Sequence, residues 1–146
     1  MTNDVVILVA EDDEEQFELI RKNLLRAGVS NEMHRLANSQ EILDFFLTMS
    51  KRPEQKNNDQ KYILLLDIRI PKVDGVEVLE KIKQDKRFIK LPVIVLTVTD
   101  SPDTIEQCYN FGCNTYIVKP TEHNDFEETI QKIGRFLSVV EVASVK

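Results

Sequence analysis

Val5-Val6-Ile7-Leu8-Val9-Ala10-Glu11-Asp12-Asp13 decides the reading of this chain. An unbroken apolar run, rich in β-branched residues, suits a strand covered on both faces, as in a parallel sheet flanked by helices. The run stops in three acids. A second run, Ile63-Leu64-Leu65-Leu66, stops in Asp67. Open parallel sheets collect their ligands beyond the carboxyl ends of the strands. Carboxylates gathered there repel one another unless a hard cation, Mg²⁺ or Mn²⁺, holds them.

The chain's 146 residues fit a single domain with one core, its ordered part expected over about 4–140. A hydrophobic content of 42% and a charged content of 30% are those of an ordinary soluble globular protein. No apolar run approaches the roughly 20 residues that cross a bilayer. Met1-Thr2-Asn3-Asp4 carries no basic segment or cleavage signature, so a cytoplasmic location is expected. The net charge is -6 and no lysine or arginine stripe stands out, which argues against nucleic-acid binding. Cys108 and Cys113 form no recognised metal or redox spacing and read as small apolar fillers.

Strand and helix patterns alternate five times. Val5–Ala10 is followed by a helix over 14–27, with Phe17, Ile20 and Leu24 on one face and Gly28 as its stop. Met33–Leu36 is a short strand. Asn38 or Ser39 can cap the next helix, which carries Ile42, Leu43, Phe45 and Phe46. The stretch 50–61 lacks apolar residues and reads as a surface insertion, either solvated or a docking loop. A third strand covers 62–66, and Pro71 and Gly75 bracket a loop before a helix with Val76, Leu79 and Ile82. Further strands are expected at 92–96 and 114–118, with a helix from Pro102 to about Phe111 between them. The last helix starts near Asn124 and carries Phe126, Ile130, Ile133 and Leu137; beyond Val140 the tail reads as frayed. Short crossovers in this rhythm imply a doubly wound α/β domain, a parallel sheet with helices on both faces.

Polar residues now stand at four strand ends: Glu11 and Asp12, Asp67, Thr97 and Lys119. Phosphoryl transfer to a carboxylate needs this set. Asp12 and Asp67 can bind Mg²⁺, with Glu11 acting through water and a backbone carbonyl near Arg69 completing the site. Asp67 is then the nucleophile, because a carboxylate can form an acyl phosphate. Lys119 supplies positive charge to the phosphoryl oxygens and Thr97 a hydrogen bond. Asp13 can cap the first helix or assist the metal. His34 and His123 read as surface residues.

These motifs resemble a receiver domain of two-component response regulators over essentially the whole chain. The matching pieces are Glu11-Asp12-Asp13, Leu66-Asp67-Ile68, Pro71-Lys72-Val73-Asp74-Gly75, Val95-Leu96-Thr97 and Lys119-Pro120. The resemblance implies a flavodoxin-like (βα)5 fold with strand order 2-1-3-4-5. It implies a histidine kinase that donates phosphate to Asp67, and a cis peptide at Lys119-Pro120. It also implies a switch, in which Thr97 moves toward the phosphoryl group and Tyr116 swings inward. No effector domain is evident, so output would pass through protein contacts.

Leu96-Thr97-Val98-Thr99-Asp100 and Asn114-Thr115-Tyr116-Ile117-Val118-Lys119 are similar to the small regulators paired with bacterial and cyanobacterial phytochromes. That likeness implies a light-sensing kinase and a homodimer through the fourth helix, fifth strand and fifth helix. The cluster Phe136-Leu137-Ser138-Val139-Val140, apolar on more than one face, agrees with such a surface. Val98 is bulkier than the alanine common in the family, and Arg69 and Thr99 occupy positions that influence phosphoryl lifetime. Three other readings stay open: a phosphorylation-independent adaptor, a small Mg²⁺-dependent phosphatase and a flavodoxin-like cofactor binder. Arg69, where a phosphatase would want a second acid, speaks against the second; the acids after strand one speak against a phosphate loop.

Overall fold

The apolar runs form strands, and the strands pair in parallel. The computed structural model describes residues 1–50 and 60–144, without the side chain of Ser50. In chain order the elements are β1 (Val5–Ala10), α1 (Glu14–Arg26), β2 (Met33–Leu36), α2 (Ser39–Ser50), β3 (Lys61–Leu66), α3 (Gly75–Gln84), β4 (Val93–Thr97), α4 (Pro102–Asn110), β5 (Thr115–Val118) and α5 (His123–Leu137). A 3₁₀ turn, Lys86–Phe88, joins α3 to β4. The five strands form one parallel sheet in the order β2-β1-β3-β4-β5, as expected.

Alternation along β1 shows why helices cover both faces. Leu8 and Ala10 pack with Ile42, Phe46, Leu79 and Ile82 of α2 and α3. Ile7 and Val9 pack with Ile20, Leu24, Ile130 and Ile133 of α1 and α5. Every one of these residues is buried. Such burial removes apolar surface from water at about 25 cal/mol per Å² and makes β1 and β3 the immovable centre of the sheet. The strand ends that carry the acids are therefore held rigidly side by side.

Several boundaries differ from expectation for local reasons. Lys61 belongs to β3, paired with Val5, so the polar stretch ends before it. Most of the 50–61 insertion lies outside the described residues. Asn38, not Ser39, caps α2: its Oδ1 accepts the Glu41 N–H at 3.0 Å. Ser39 is fully buried and does something else. Its hydroxyl donates to Pro71 O at 2.9 Å and accepts the Val73 N–H at 2.6 Å, pinning the β3–α3 loop to α2. The tail is not simply frayed, since Val142 is buried against the α1–α5 side of the sheet. Every peptide bond among the described residues is trans, Lys119-Pro120 included. That corrects the expected cis bond. The two isomers of an X–Pro amide differ by only about 0.5–1 kcal/mol, and the trans chain already brings Lys119 to its partners.

Candidate functional site at the strand ends

Adjacent register puts the polar residues together. Asp67 N–H donates to Ala10 O at 3.1 Å, and Glu11 N–H to Leu36 O at 3.1 Å, so both acids emerge just past the ladder. Lys119 N–H donates to Thr97 O at 2.7 Å, which seats these two side by side across β4 and β5. The Lys119 ammonium then reaches across the pocket. It donates to Glu11 Oε1 at 2.7 Å and to Asp67 Oδ2 at 2.9 Å. Phe126 of α5 lies under it, 5.9 Å from Nζ to the ring centroid. The other Asp67 oxygen, Oδ1, accepts the Arg69 N–H at 2.9 Å.

Gly75 lets the loop after Asp67 close. Its N–H donates to Ile68 O at 3.1 Å, and a Cβ here would lie 2.3 Å from Ile68 Cα. Only glycine permits that approach. Asp13 is the N-cap of α1, its Oδ1 accepting from Glu15 N–H at 2.9 Å. Its side chain thus serves the helix. His34 and His123 are exposed, as expected, each beside a glutamate: Glu32 and Glu127.

The electrostatics of the pocket follow from this geometry. Burial pushes the Glu11 carboxyl above its usual range, and the Lys119 ammonium pulls against that. Burial also pulls Lys119 down, but the carboxylates of Glu11 and Asp67 outweigh it and hold the amine above its ordinary value. Lys119 is therefore a cation locked between two acids. Asp12 differs: its carboxylate is exposed and has no hydrogen-bond partner among the described residues.

The residues fit a divalent cation by charge and chemistry. Glu11 and Asp67 share one ammonium, Lys119, Asp12 stands exposed on the same loop as Glu11, and all the donors are oxygens. The acids outnumber the one ammonium that pairs with them. The acids do not form a closed cage, and no group of three or more acid, histidine or cysteine side chains among the described residues is disposed to hold a metal. Glu11 is committed to Lys119 and to the Asp13 N–H, at 3.2 Å.

Thr97 supplies the most telling atom. It is fully buried, and its Oγ1 is the one buried side-chain N or O among the described residues without a hydrogen-bond partner. Buried hydroxyls are normally satisfied, so this one, at the end of the strand whose carbonyl accepts the Lys119 N–H, stands out as a donor not yet used. Tyr116 sits behind it, half-buried, its hydroxyl donating to Thr99 O at 2.7 Å. Sequence reasoning missed Arg35 and Ser39, which hold the loops of this site from β2 and α2.

Fold and site together define a receiver domain: a doubly wound sheet whose strand ends present acids, a buried hydroxyl and a lysine. The chain belongs to the response regulator receiver domain family, whose model matches residues 7–131. Among curated proteins it is 32% identical over 131 residues to the probable methanogenesis regulatory protein FilR2 of Methanothrix harundinacea, covering 90% of this chain and 82% of that protein. It is 30% identical to response regulator Rcp1 of Synechocystis, covering 90% of this chain and 87% of that protein. Among solved structures, a response regulator receiver domain from Rhodospirillum rubrum superposes with a TM-score of 0.86 at 31% identity, covering 97% of this chain and 99% of that one. The phosphorylated cyanobacterial phytochrome response regulator RcpA superposes with a TM-score of 0.81 at 28% identity, covering 95% and 98%. The Mn²⁺-bound form of Rcp1 superposes with a TM-score of 0.79 at 28% identity, covering 95% and 99%. Receiver domains are phosphoacceptor signalling modules and generally not enzymes. No helix among the described residues is long and apolar enough to cross a membrane.

Proposed function

We propose that this chain takes a phosphoryl group from a histidine kinase onto Asp67, with Mg²⁺ or Mn²⁺, and signals through altered protein contacts. The observation that carries this reading is the buried Lys119 ammonium held on Asp67 and Glu11 at the strand ends, with the unpartnered Thr97 hydroxyl ending the neighbouring strand. Asp12, Asp67 and the Arg69 carbonyl would hold the cation, with Glu11 contributing through water. When bound, the cation neutralises the excess carboxylate charge and draws charge from the phosphoryl oxygens.

An Asp67 carboxylate oxygen attacks the phosphorus of the kinase's phosphohistidine; the phosphorus–nitrogen bond breaks and the imidazole leaves. Lys119 exchanges its hold on Asp67 for a phosphoryl oxygen, and Thr97 Oγ1 donates to another. The Thr97 shift draws on the β4–α4 loop, where Thr99 O holds the Tyr116 hydroxyl, so Tyr116 is released to move inward. Borohydride reduction of the acyl phosphate followed by peptide mass spectrometry tests the acceptor. The mark is expected on Asp67; a mark on another acid would refute the assignment.

The likeness to Rcp1 and RcpA supports a phytochrome-type kinase as donor, in the cytoplasm. Tyr109, Val118 and Phe136 leave apolar surface exposed on α4, β5 and α5, which supports a homodimer through that face.

A further inference from the structure

Arg35 stands outside the set of residues that touch the phosphoryl group or the cation, yet it holds the backbone under one of them. The β1–β2 ladder ends where Glu11 N–H meets Leu36 O, and α1 begins where Asp13 O accepts the Phe17 N–H at 3.0 Å. Between these points the carbonyls of Glu11 and Asp12 have neither a strand nor a helix to serve. Arg35, one residue before the end of β2, supplies both. Its Nε donates to Glu11 O at 3.0 Å and its Nη2 to Asp12 O at 2.6 Å. A planar guanidinium forked onto two successive carbonyls fixes the peptide between them, and so the direction of the Asp12 side chain. The Asp12 carboxylate has no partner of its own to do this.

We propose that Arg35 is the positioning residue of the cation site: its fork orients Asp12 before the ion arrives. The inference rests on the reading that Asp12 and Asp67 bind Mg²⁺. Two effects of Arg35 oppose each other. A guanidinium near the site repels Mg²⁺, whereas the clamp spares the ion the task of ordering Asp12. Arg35 is partly exposed, so water and salt screen the repulsion, while hydrogen-bonded geometry is not screened in this way. The clamp therefore outweighs the charge.

Calorimetric Mg²⁺ titration of wild type, Arg35→Lys and Arg35→Gln separates the two effects, with thermal unfolding in EDTA as the control for folding. Arg35→Lys keeps the charge and loses the fork. Both variants are expected to bind Mg²⁺ about tenfold more weakly, the scale of a lost outer-shell partner. Their amide resonances at Asp12 and Asp13 are expected to shift even without metal, a local signature that a general loss of stability would not produce. Wild-type affinity in Arg35→Lys would overturn the clamp and leave only charge; tighter binding in Arg35→Gln would make repulsion the dominant effect and overturn it as well. Absence of Mg²⁺ binding in wild type would instead remove the reading on which the inference rests.

Discussion

Tyr116 shows how much a single residue of the proposed switch depends on its surroundings. Burial raises its phenol from the ordinary 10.0 to about 12, and its hydroxyl is committed to Thr99 O. The folded chain then keeps a proton that the unfolded chain has lost. Its contribution to stability is complete below about pH 10 and disappears as the pH rises through about 12. Ultraviolet titration of wild type minus Tyr116→Phe is expected to give a difference midpoint near 12; a midpoint near 10 would mean that the hydroxyl is free in solution. Asp67, Thr97 and Lys119 were legible in the sequence because each ends a strand of one sheet, and parallel topology alone brings such ends together. The Lys119 bridge to Glu11 was not legible in detail, since 108 residues separate the partners and only the built pocket shows which acid the ammonium chooses. Arg35 carried no signal, and Ser39 read only as a candidate helix cap: an arginine on an edge strand and a serine near a helix start have ordinary local explanations.

At the scale of elements, the acid-rich loop after β1 divides its labour. Glu11 pairs with Lys119, Asp12 has no hydrogen-bond partner among the described residues and is the proposed cation ligand, and Asp13 caps α1. Asp13→Ala is expected to lower stability by about 1 kcal/mol in urea unfolding, as the loss of an N-cap does, and to leave Mg²⁺ affinity unchanged. A fall in Mg²⁺ affinity comparable to that of Asp12→Ala would place Asp13 among the ligands instead. Helix periodicity located α1, α3 and α5 well because each has one buried stripe. Their ends were less legible. Glu122 caps α5 by accepting from the Asn124 and Asp125 N–H groups, a role that glutamate's identity does not announce. The buried Val142 was missed because an isolated apolar residue in a tail has no period to betray it.

For the molecule as a whole, the proposed output surface lies on α4, β5 and α5. Gly134 of α5 packs against Ala27 beyond α1, and Leu137 is buried. At 3.6 residues per turn, Phe136 falls on the far side of α5 from Gly134. It is 57% exposed, and Tyr109 on α4 and Val118 on β5 are exposed as well. Light scattering is expected to show wild-type mass rising toward two chains between low and high micromolar concentration, and Phe136→Glu remaining at one; a wild-type mass of one chain at both concentrations would remove the dimer. The central claim is that Asp67 accepts a phosphoryl group with the help of a divalent cation. Intact mass after incubation with acetyl phosphate and Mg²⁺, for wild type and Asp67→Asn, tests it most directly. The expected result is one added phosphoryl group in wild type alone, abolished by EDTA; equal phosphorylation of Asp67→Asn, or no gain in wild type together with no binding of beryllofluoride, would contradict it.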